Sequence, residues 1–221
     1  ASRGAFYMPP PDNRSPGTYF LASTPKLQPL YNLEALSLHE AIPGHHLQNA
    51  IAMELDVPEF RRTLSHSAFG EGWALYTERL GKEAGFYQSP YSDFGRLGYE
   101  MWRAVRLVVD TGIHAFGWSR QKAIDYLASH TALPQSAVED QIDRYISWPG
   151  QALSYKMGEI KIRELRAKAE KELGTQFDIR SFHDTVIGQG SLPMAVLEDV
   201  INDWIAEQKP VSYNNTFKHD F

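Results

Sequence analysis

The sequence predicts a mainly α-helical fold with a short β-strand near its N-terminus. After residue 33, apolar residues recur at intervals of three and four positions along most of the chain, which is the period of one helix face. Serine, proline or glycine stands where many of these stretches begin or end. Residues 1–30, in contrast, carry six prolines and two glycines and show no helical period.

The predicted elements follow in order along the chain. Residues 1–30 are expected to form a loop with one short edge strand, because residues 17–22 are rich in β-branched and aromatic side chains. A helical stretch begins at Leu33, is interrupted at Pro43-Gly44 and ends before Pro58. Further helices are predicted over about 71–80, 91–116, 119–130, 135–147, 151–173 and 193–208.

Composition excludes several classes of protein. The 221 residues are 43% hydrophobic and 22% charged, which is typical of a soluble globular protein, and we expect them to form one domain. The net charge of −5, without a cluster of basic residues, argues against a nucleic-acid partner. No apolar run is long enough to predict a membrane span. Because cysteine is absent, a transition-metal site would have to use histidine and carboxylate ligands.

Residues 39–46 (HEAIPGHH) combine the residue types of a zinc hydrolase site. Such enzymes present two histidines about one helical turn apart, with a glutamate beside the first that takes a proton from a metal-bound water. His39 and Glu40 supply the opening pair, but Pro43 occupies the usual place of the second histidine. Pro43 cannot donate a backbone hydrogen bond, so the helix should be kinked or bulged there.

Two histidines compete for the second ligand position. If Ile42-Pro43 forms a two-residue bulge, His45 moves to about one turn after His39. On an unbroken helix, His46 would share the face of His39 but would lie about 10.5 Å along the axis. That separation is awkward for one metal ion, so we predict His45 as the ligand and His46 as a neighbouring or structural residue.

The third ligand is expected from the next helix. Glu71 opens that predicted helix within residues 69–74 (FGEGWA), and Glu78 lies about two turns further along the same face. We predict Glu71 as the third ligand, with water in the fourth position. Glu78 is then either the alternative ligand or a carboxylate that orients a ligand imidazole.

Residues 39–48 (HEAIPGHHLQ) resemble the signature of the bacterial domain-of-unknown-function 885 family. Residues 70–78 (GEGWALYTE), 106–114 (RLVVDTGIH) and 144–158 (RYISWPGQALSYKMG) also resemble segments of that family. The resemblance extends over nearly the whole chain. Members of the family are much longer, which implies that this chain is the C-terminal half of a longer bacterial protein and that the missing N-terminal half is its natural partner.

That family is similar to the gluzincin metallopeptidases. The resemblance implies a multi-helix, gluzincin-like catalytic domain over residues 1–221, with Zn²⁺ as the cofactor and a peptide or small oligopeptide as the substrate. Glu40 would then act as the general base. By the same likeness, His114 and Tyr155 would stabilise the carbonyl oxygen as it becomes an oxyanion.

The resemblance also implies substrate-binding residues near Tyr155. Arg144, Tyr145 and Gln151 would hold a peptide backbone or a terminal carboxylate, for which the planar guanidinium of arginine is well suited. The sequence does not predict a compartment, although the resemblance is compatible with export by a signal segment that this chain lacks.

Two other functions agree with the same residues. The displaced second histidine would also suit a binding module or pseudoenzyme that keeps the fold without turnover. Alternatively, a metal-activated water could cleave an ester or a non-peptide amide instead of a peptide bond.

Overall fold

A computed structural model describes residues 5–10, 15–21 and 29–209 of the chain. It is mainly helical with a two-stranded antiparallel sheet near the N-terminus, which confirms the predicted fold class. The described helices are α1 Leu33–Glu40, α2 His45–Glu54, α3 Glu59–Thr63, α4 Ser67–Glu83, α5 Pro90–His114, α6 Arg120–His130, α7 Gln135–Ser147, α8 Gln151–Leu173, α9 Ile179–Ile187 and α10 Met194–Gln208.

The sheet contains the predicted strand and a partner that the sequence does not predict. Strand β2, Thr18–Phe20, lies within the stretch predicted as an edge strand. It pairs with β1, Phe6–Met8, so that Tyr7 stands opposite Tyr19. The rest of the predicted N-terminal loop, residues 1–4, 11–14 and 22–28, lies outside the described residues.

Helix boundaries differ from the predicted ones at a few places. Helix α4 begins at Ser67, four residues before the predicted start at Glu71. Helices α3 and α9 are short and are not predicted at all. The start of α9 does carry a capping signal, because the Asp178 side chain accepts hydrogen bonds from the backbone N–H groups at its first turn.

Helices α4 and α8 pack closely because glycines meet at their crossing. A Cβ atom on Gly158 would lie 1.9 Å from the carbonyl oxygen of Ala68, and one on Gly72 would lie 2.5 Å from Gly158 Cα. Any larger residue would therefore force the two helices apart. This contact places Glu71 of α4 against the first turns of α8.

The hydrophobic core has three parts, and four helices meet between them. One part is formed mainly by α4, α8, α9 and α10, a second by α5, α6 and α7, and a third lies beneath α1. Helices α1, α4, α8 and α5 contact one another in a closed ring. Among the residues described, no helix is both long and apolar enough to cross a membrane.

Candidate metal centre

The histidine motif forms a corner between two helices. Helix α1 ends at Glu40 and α2 begins at His45, with a cis Ile42-Pro43 peptide bond in the turn. A Cβ atom at Gly44 would lie 1.9 Å from the carbonyl oxygen of His39, so this close turn requires glycine. The predicted kinked or bulged helix is thus two separate helices, and the turn brings the His45 ring to 4.8 Å from that of His39.

This corner is fixed to the next long helix by a tryptophan. The indole Nε1 of Trp73, on α4, donates a hydrogen bond of 2.8 Å to the carbonyl oxygen of Pro43. Trp73 is 1% exposed, so it cannot move without disturbing the core. Glu71 lies on the same helix, and its side chain faces the two histidines.

His39, His45 and Glu71 form a group that could hold a metal ion. One ligand atom from each lies within 4.8 Å of the others. Glu71 Oε2 is 3.3 Å from His45 Nε2 and 3.6 Å from His39 Nε2. Tetrahedral zinc with bonds near 2.0–2.1 Å has ligand atoms about 3.3–3.4 Å apart, so the two distances from Glu71 and the donor set of two nitrogens and one oxygen suit such an ion.

A buried carboxylate orients the His39 ring. His39 Nδ1 lies 2.8 Å from Glu78 Oε1, and the two residues are only 2% and 1% exposed. When Nδ1–H donates to Glu78, the lone pair of Nε2 points toward His45 and Glu71. Of the two roles open to Glu78 from the sequence, this geometry favours orientation of the imidazole, with Glu71 in the ligand group.

The neighbouring charged groups shift the pKa values of His39 and Glu71. Burial alone would lower the pKa of His39, but hydrogen bonds from its ring to Glu71 and Glu78 outweigh that effect and raise its pKa to about 10. Burial would raise the pKa of Glu71, yet hydrogen bonds to His39 and His45 bring it well below its usual value. The group therefore favours a bound cation, whether a proton or a metal ion.

His46 faces away from this group. Its Nδ1 atom lies 3.3 Å from the hydroxyl of Tyr7, and the two rings meet edge to face. It therefore contacts strand β1, while His45 Nε2 faces Glu71. For His45 to be the ligand, its ring has to face Glu71 and that of His46 has to point elsewhere, and both rings are oriented in this way.

Glu40 ends helix α1 beside the same strand. Its Oε2 atom accepts a hydrogen bond of 2.8 Å from the backbone N–H of Tyr7, and the residue is 8% exposed. No described hydrogen bond occupies its other carboxylate oxygen. Its role as general base stays a prediction.

Tyr155 and Gln151 of helix α8 adjoin the ligand group. The Tyr155 ring stacks on His39 at a centroid distance of 6.2 Å and an interplanar angle of 17°. Gln151 Nε2 lies 3.4 Å from Glu71 Oε1 and 3.3 Å from the Tyr155 hydroxyl. Arg144 Nη2 reaches the same two residues, at 3.0 Å from Gln151 Oε1 and 3.4 Å from the Tyr155 oxygen.

His114 and Tyr145, which are also predicted site residues, have no described contact with His39, His45 or Glu71. His114 is exposed at the end of α5, where its Nε2 atom lies 2.9 Å from the carbonyl oxygen of Tyr145. Tyr145 is 1% exposed, and its hydroxyl accepts hydrogen bonds from Trp102 Nε1 and Arg106 Nε. The predicted roles of both residues remain untested.

Sequence reasoning missed two buried arginines of helix α5. Arg103 Nη2 lies 3.6 Å from Glu78 Oε1, and the Arg106 guanidinium lies 4.3 Å from the centroid of the Tyr155 ring. Tyr155 is therefore bounded by His39 and by Arg106. The signal that could have identified them is a pair of arginines three residues apart inside the apolar stretch 101–109 (MWRAVRLVV).

The chain is similar to two solved structures. A protein described as a putative lipoprotein from Colwellia psychrerythraea is 44% identical, with a TM-score of 0.92 over 94% of this chain and 36% of that protein. A putative lipoprotein of unknown function from Shewanella oneidensis shares the fold at 22% identity, with a TM-score of 0.79 over 91% of this chain and 39% of that protein. The chain thus spans little more than a third of each.

Family membership follows from a more extensive match. No curated protein matches the chain. The family described as "Bacterial protein of unknown function (DUF885)" matches residues 1–201, which is most of the sequence and includes the whole ligand group. The chain therefore belongs to the DUF885 family.

Proposed function

We propose that the chain is the catalytic part of a zinc-dependent, gluzincin-like peptidase. The observation that carries the proposal is the group of His39, His45 and Glu71, with the His39 ring oriented by Glu78. Zinc suits two imidazoles and one carboxylate, and in such a site it supplies Lewis-acid polarisation of a carbonyl and activation of water. The chain offers no thiolate that would favour a softer ion.

Glu40 supplies the base in this proposal. It follows the ligand His39 directly in sequence, and one of its oxygens is fixed by the Tyr7 N–H at 2.8 Å. The second oxygen is left to take a proton from the attacking water and to return it to the leaving amine. Fixing one oxygen limits the rotation of the carboxylate and so helps to keep the base in position.

Tyr155 supplies the hydrogen-bond donor for the substrate carbonyl. Its oxygen accepts hydrogen bonds from Arg144 and Gln151, so its own proton is free to donate. The ring is held against His39, which places it beside the ligand group. A donor in a fixed position stabilises the negative charge that develops on a carbonyl oxygen during attack.

Export from the cytoplasm is part of the proposal. Both similar structures are described as putative lipoproteins, and one is 44% identical to this chain. Fractionation of the source bacterium should recover the full-length protein with the membrane or periplasmic fraction. Recovery only in the cytosol would remove this part of the account and leave the chemistry untouched.

Hydrolysis is tested on the full-length natural protein that contains this chain. Purified protein should contain about one zinc ion by elemental analysis and should cleave members of a peptide library. Chelation and Glu40→Gln should each abolish cleavage, whereas Glu164→Gln, at a side chain that is 61% exposed, should not. Bound zinc without turnover would favour the binding-module alternative, and cleavage of esters alone would favour the esterase alternative.

A further inference from the structure

We infer that Arg144 binds the C-terminal carboxylate of the substrate, so that the enzyme is a carboxypeptidase that releases one or two residues. This inference rests on the proposed peptidase function and narrows its substrate class. Arg144 is partly exposed at the last turn of α7, and its side chain extends toward the first turns of α8.

Polar contacts connect Arg144 to the ligand group. Its Nη2 atom donates to Gln151 Oε1 at 3.0 Å, and Gln151 Nε2 in turn lies 3.4 Å from Glu71 Oε1. The Gln151 amide is therefore oriented by a cation on one side and by a ligand carboxylate on the other. This contact fixes the position of the guanidinium relative to the metal centre.

Six of the eleven arginines that the structure describes pair with a carboxylate, but Arg144 does not. Arg96 and Arg166, for example, each pair with two carboxylates. Among the described residues, no carboxylate lies within 4 Å of the Arg144 guanidinium, which donates hydrogen bonds to an amide oxygen and a phenol oxygen. In a chain with a net charge of −5, this leaves a free cation beside the proposed active site.

Packing at the end of a helix does not explain why the Arg144 side chain extends toward α8. A cation in the last turn of α7 would interact favourably with the helix dipole, and the Trp148 ring lies 5.7 Å from the guanidinium. Neither effect requires the side chain to reach Gln151 and Tyr155 on α8. The planar fork retains N–H groups that could bind both oxygens of a carboxylate.

The distance between Glu71 and Arg144 limits the length of the peptide that is released from the C-terminal end. Through the single amide of Gln151, the path from Glu71 Oε1 to Arg144 Nη2 is at most about 9 Å. An extended peptide advances about 3.3–3.6 Å per residue. A carboxylate on Arg144 would therefore leave only one or two residues between the end of the substrate and the bond at the metal centre.

The test compares matched peptides on the zinc-loaded full-length protein. One peptide carries a free C-terminal carboxylate, and the other is identical except for a C-terminal amide. Two charge-assisted hydrogen bonds should favour the acid by about 10–100-fold in kcat/KM. Arg144→Gln should bring the acid-to-amide ratio near 1, Arg144→Lys should restore part of it, and Arg180→Gln, at a side chain that is 89% exposed, should leave it unchanged.

A binding measurement separates failure of this inference from failure of the proposed function. Calorimetric titration of the zinc-loaded Glu40→Gln variant with both peptides reports recognition without turnover. This variant should bind the acid more tightly than the amide. Adding Arg144→Gln should remove that preference. Preferential binding of the acid without any hydrolysis would support the carboxylate site and overturn the peptidase. Hydrolysis with an acid-to-amide ratio near 1, products longer than two residues from the C-terminal end, or equal binding of both peptides would overturn the role of Arg144.

Discussion

His39 Nδ1 and Glu78 Oε1 lie 2.8 Å apart, and both residues are almost completely buried. The contact sets the tautomer of His39, and Glu78 also lies 3.6 Å from the buried cation Arg103. Glu78 therefore links the His39 imidazole to the Arg103 guanidinium. Loss of its charge should affect both metal binding and stability.

Glu78→Gln should weaken zinc binding by about 10–100-fold, which is typical when the partner of a ligand histidine is altered. It should also lower the free energy of unfolding by about 3–5 kcal/mol, because Arg103 would be left as a buried cation without its carboxylate. Chelator competition and urea unfolding measure the two effects. The exposed control Glu54→Gln should change neither the zinc affinity nor the free energy of unfolding. If Glu78→Gln binds zinc as tightly as the wild type does, Glu78 does not orient His39.

Gly158→Ala should destabilise the protein by about 1–3 kcal/mol or more, because the new Cβ would lie 1.9 Å from the Ala68 carbonyl oxygen. It should also weaken zinc binding, since separating α4 from α8 shifts the helix that carries the proposed ligand Glu71. Gly98→Ala is the matched control, since nothing lies within 4 Å of its Cβ. That change should stabilise helix α5 by up to about 1 kcal/mol in the same unfolding measurement.

Zinc binding should release about one proton near pH 7. With the pKa of His39 raised to about 10 by its carboxylate partners, the metal-free ring is protonated at neutral pH and must lose that proton to coordinate. Apparent affinity should rise about tenfold per pH unit between pH 7 and 9. Calorimetry in two buffers with different ionisation enthalpies measures the proton count, and a binding enthalpy that is the same in both would disprove this coupling.

Acid should destabilise the protein partly through His183. Burial lowers its pKa to about 4 from an ordinary value of 6.5, so between these values the unfolded chain binds more protons than the folded one. The stabilisation is complete above pH 6.5, falls as the pH is lowered, and levels off below pH 4, with a loss of at most about 3 kcal/mol.

Urea unfolding at pH 7 and pH 5 checks this effect against His183→Gln. Tyr76 OH lies 2.7 Å from His183 Nε2, and the Gln amide keeps an acceptor for it. The variant should show a smaller loss of stability between the two pH values than the wild type. Equal losses in the two proteins would mean that His183 does not contribute.

The sequence predicted the group of His39, His45 and Glu71 because their residue types and their order along the chain are those of a zinc hydrolase site. A proline at position 43 requires a break in the helix, and beyond that break His45 faces Glu71 whereas His46 contacts Tyr7. The role of Glu78 could be narrowed only to two alternatives, because the choice depends on how α1 and α4 pack. Helix period and caps similarly predicted most elements, whereas the short helices α3 and α9 have too few residues to show a period.

Contacts between distant segments could not be predicted from the sequence. Arg103 and Arg106 lie beneath the site because α5 crosses α8, and no local pattern specifies that crossing. The same applies to Gly72 and Gly158, which are 86 positions apart in the chain and meet where α4 crosses α8. Single glycines within helical patterns indicate close packing only when the partner helix is known.

Anomalous diffraction at the zinc edge, from crystals of the zinc-loaded protein, tests the central claim most directly. The account predicts one zinc peak about 2.0–2.1 Å from Nε2 of His39 and of His45, and about 2.0–2.2 Å from a carboxylate oxygen of Glu71. His46 should remain beside Tyr7, as its 3.3 Å contact indicates. A zinc peak on His46 with His45 turned away, or no peak within reach of the three side chains, would contradict it.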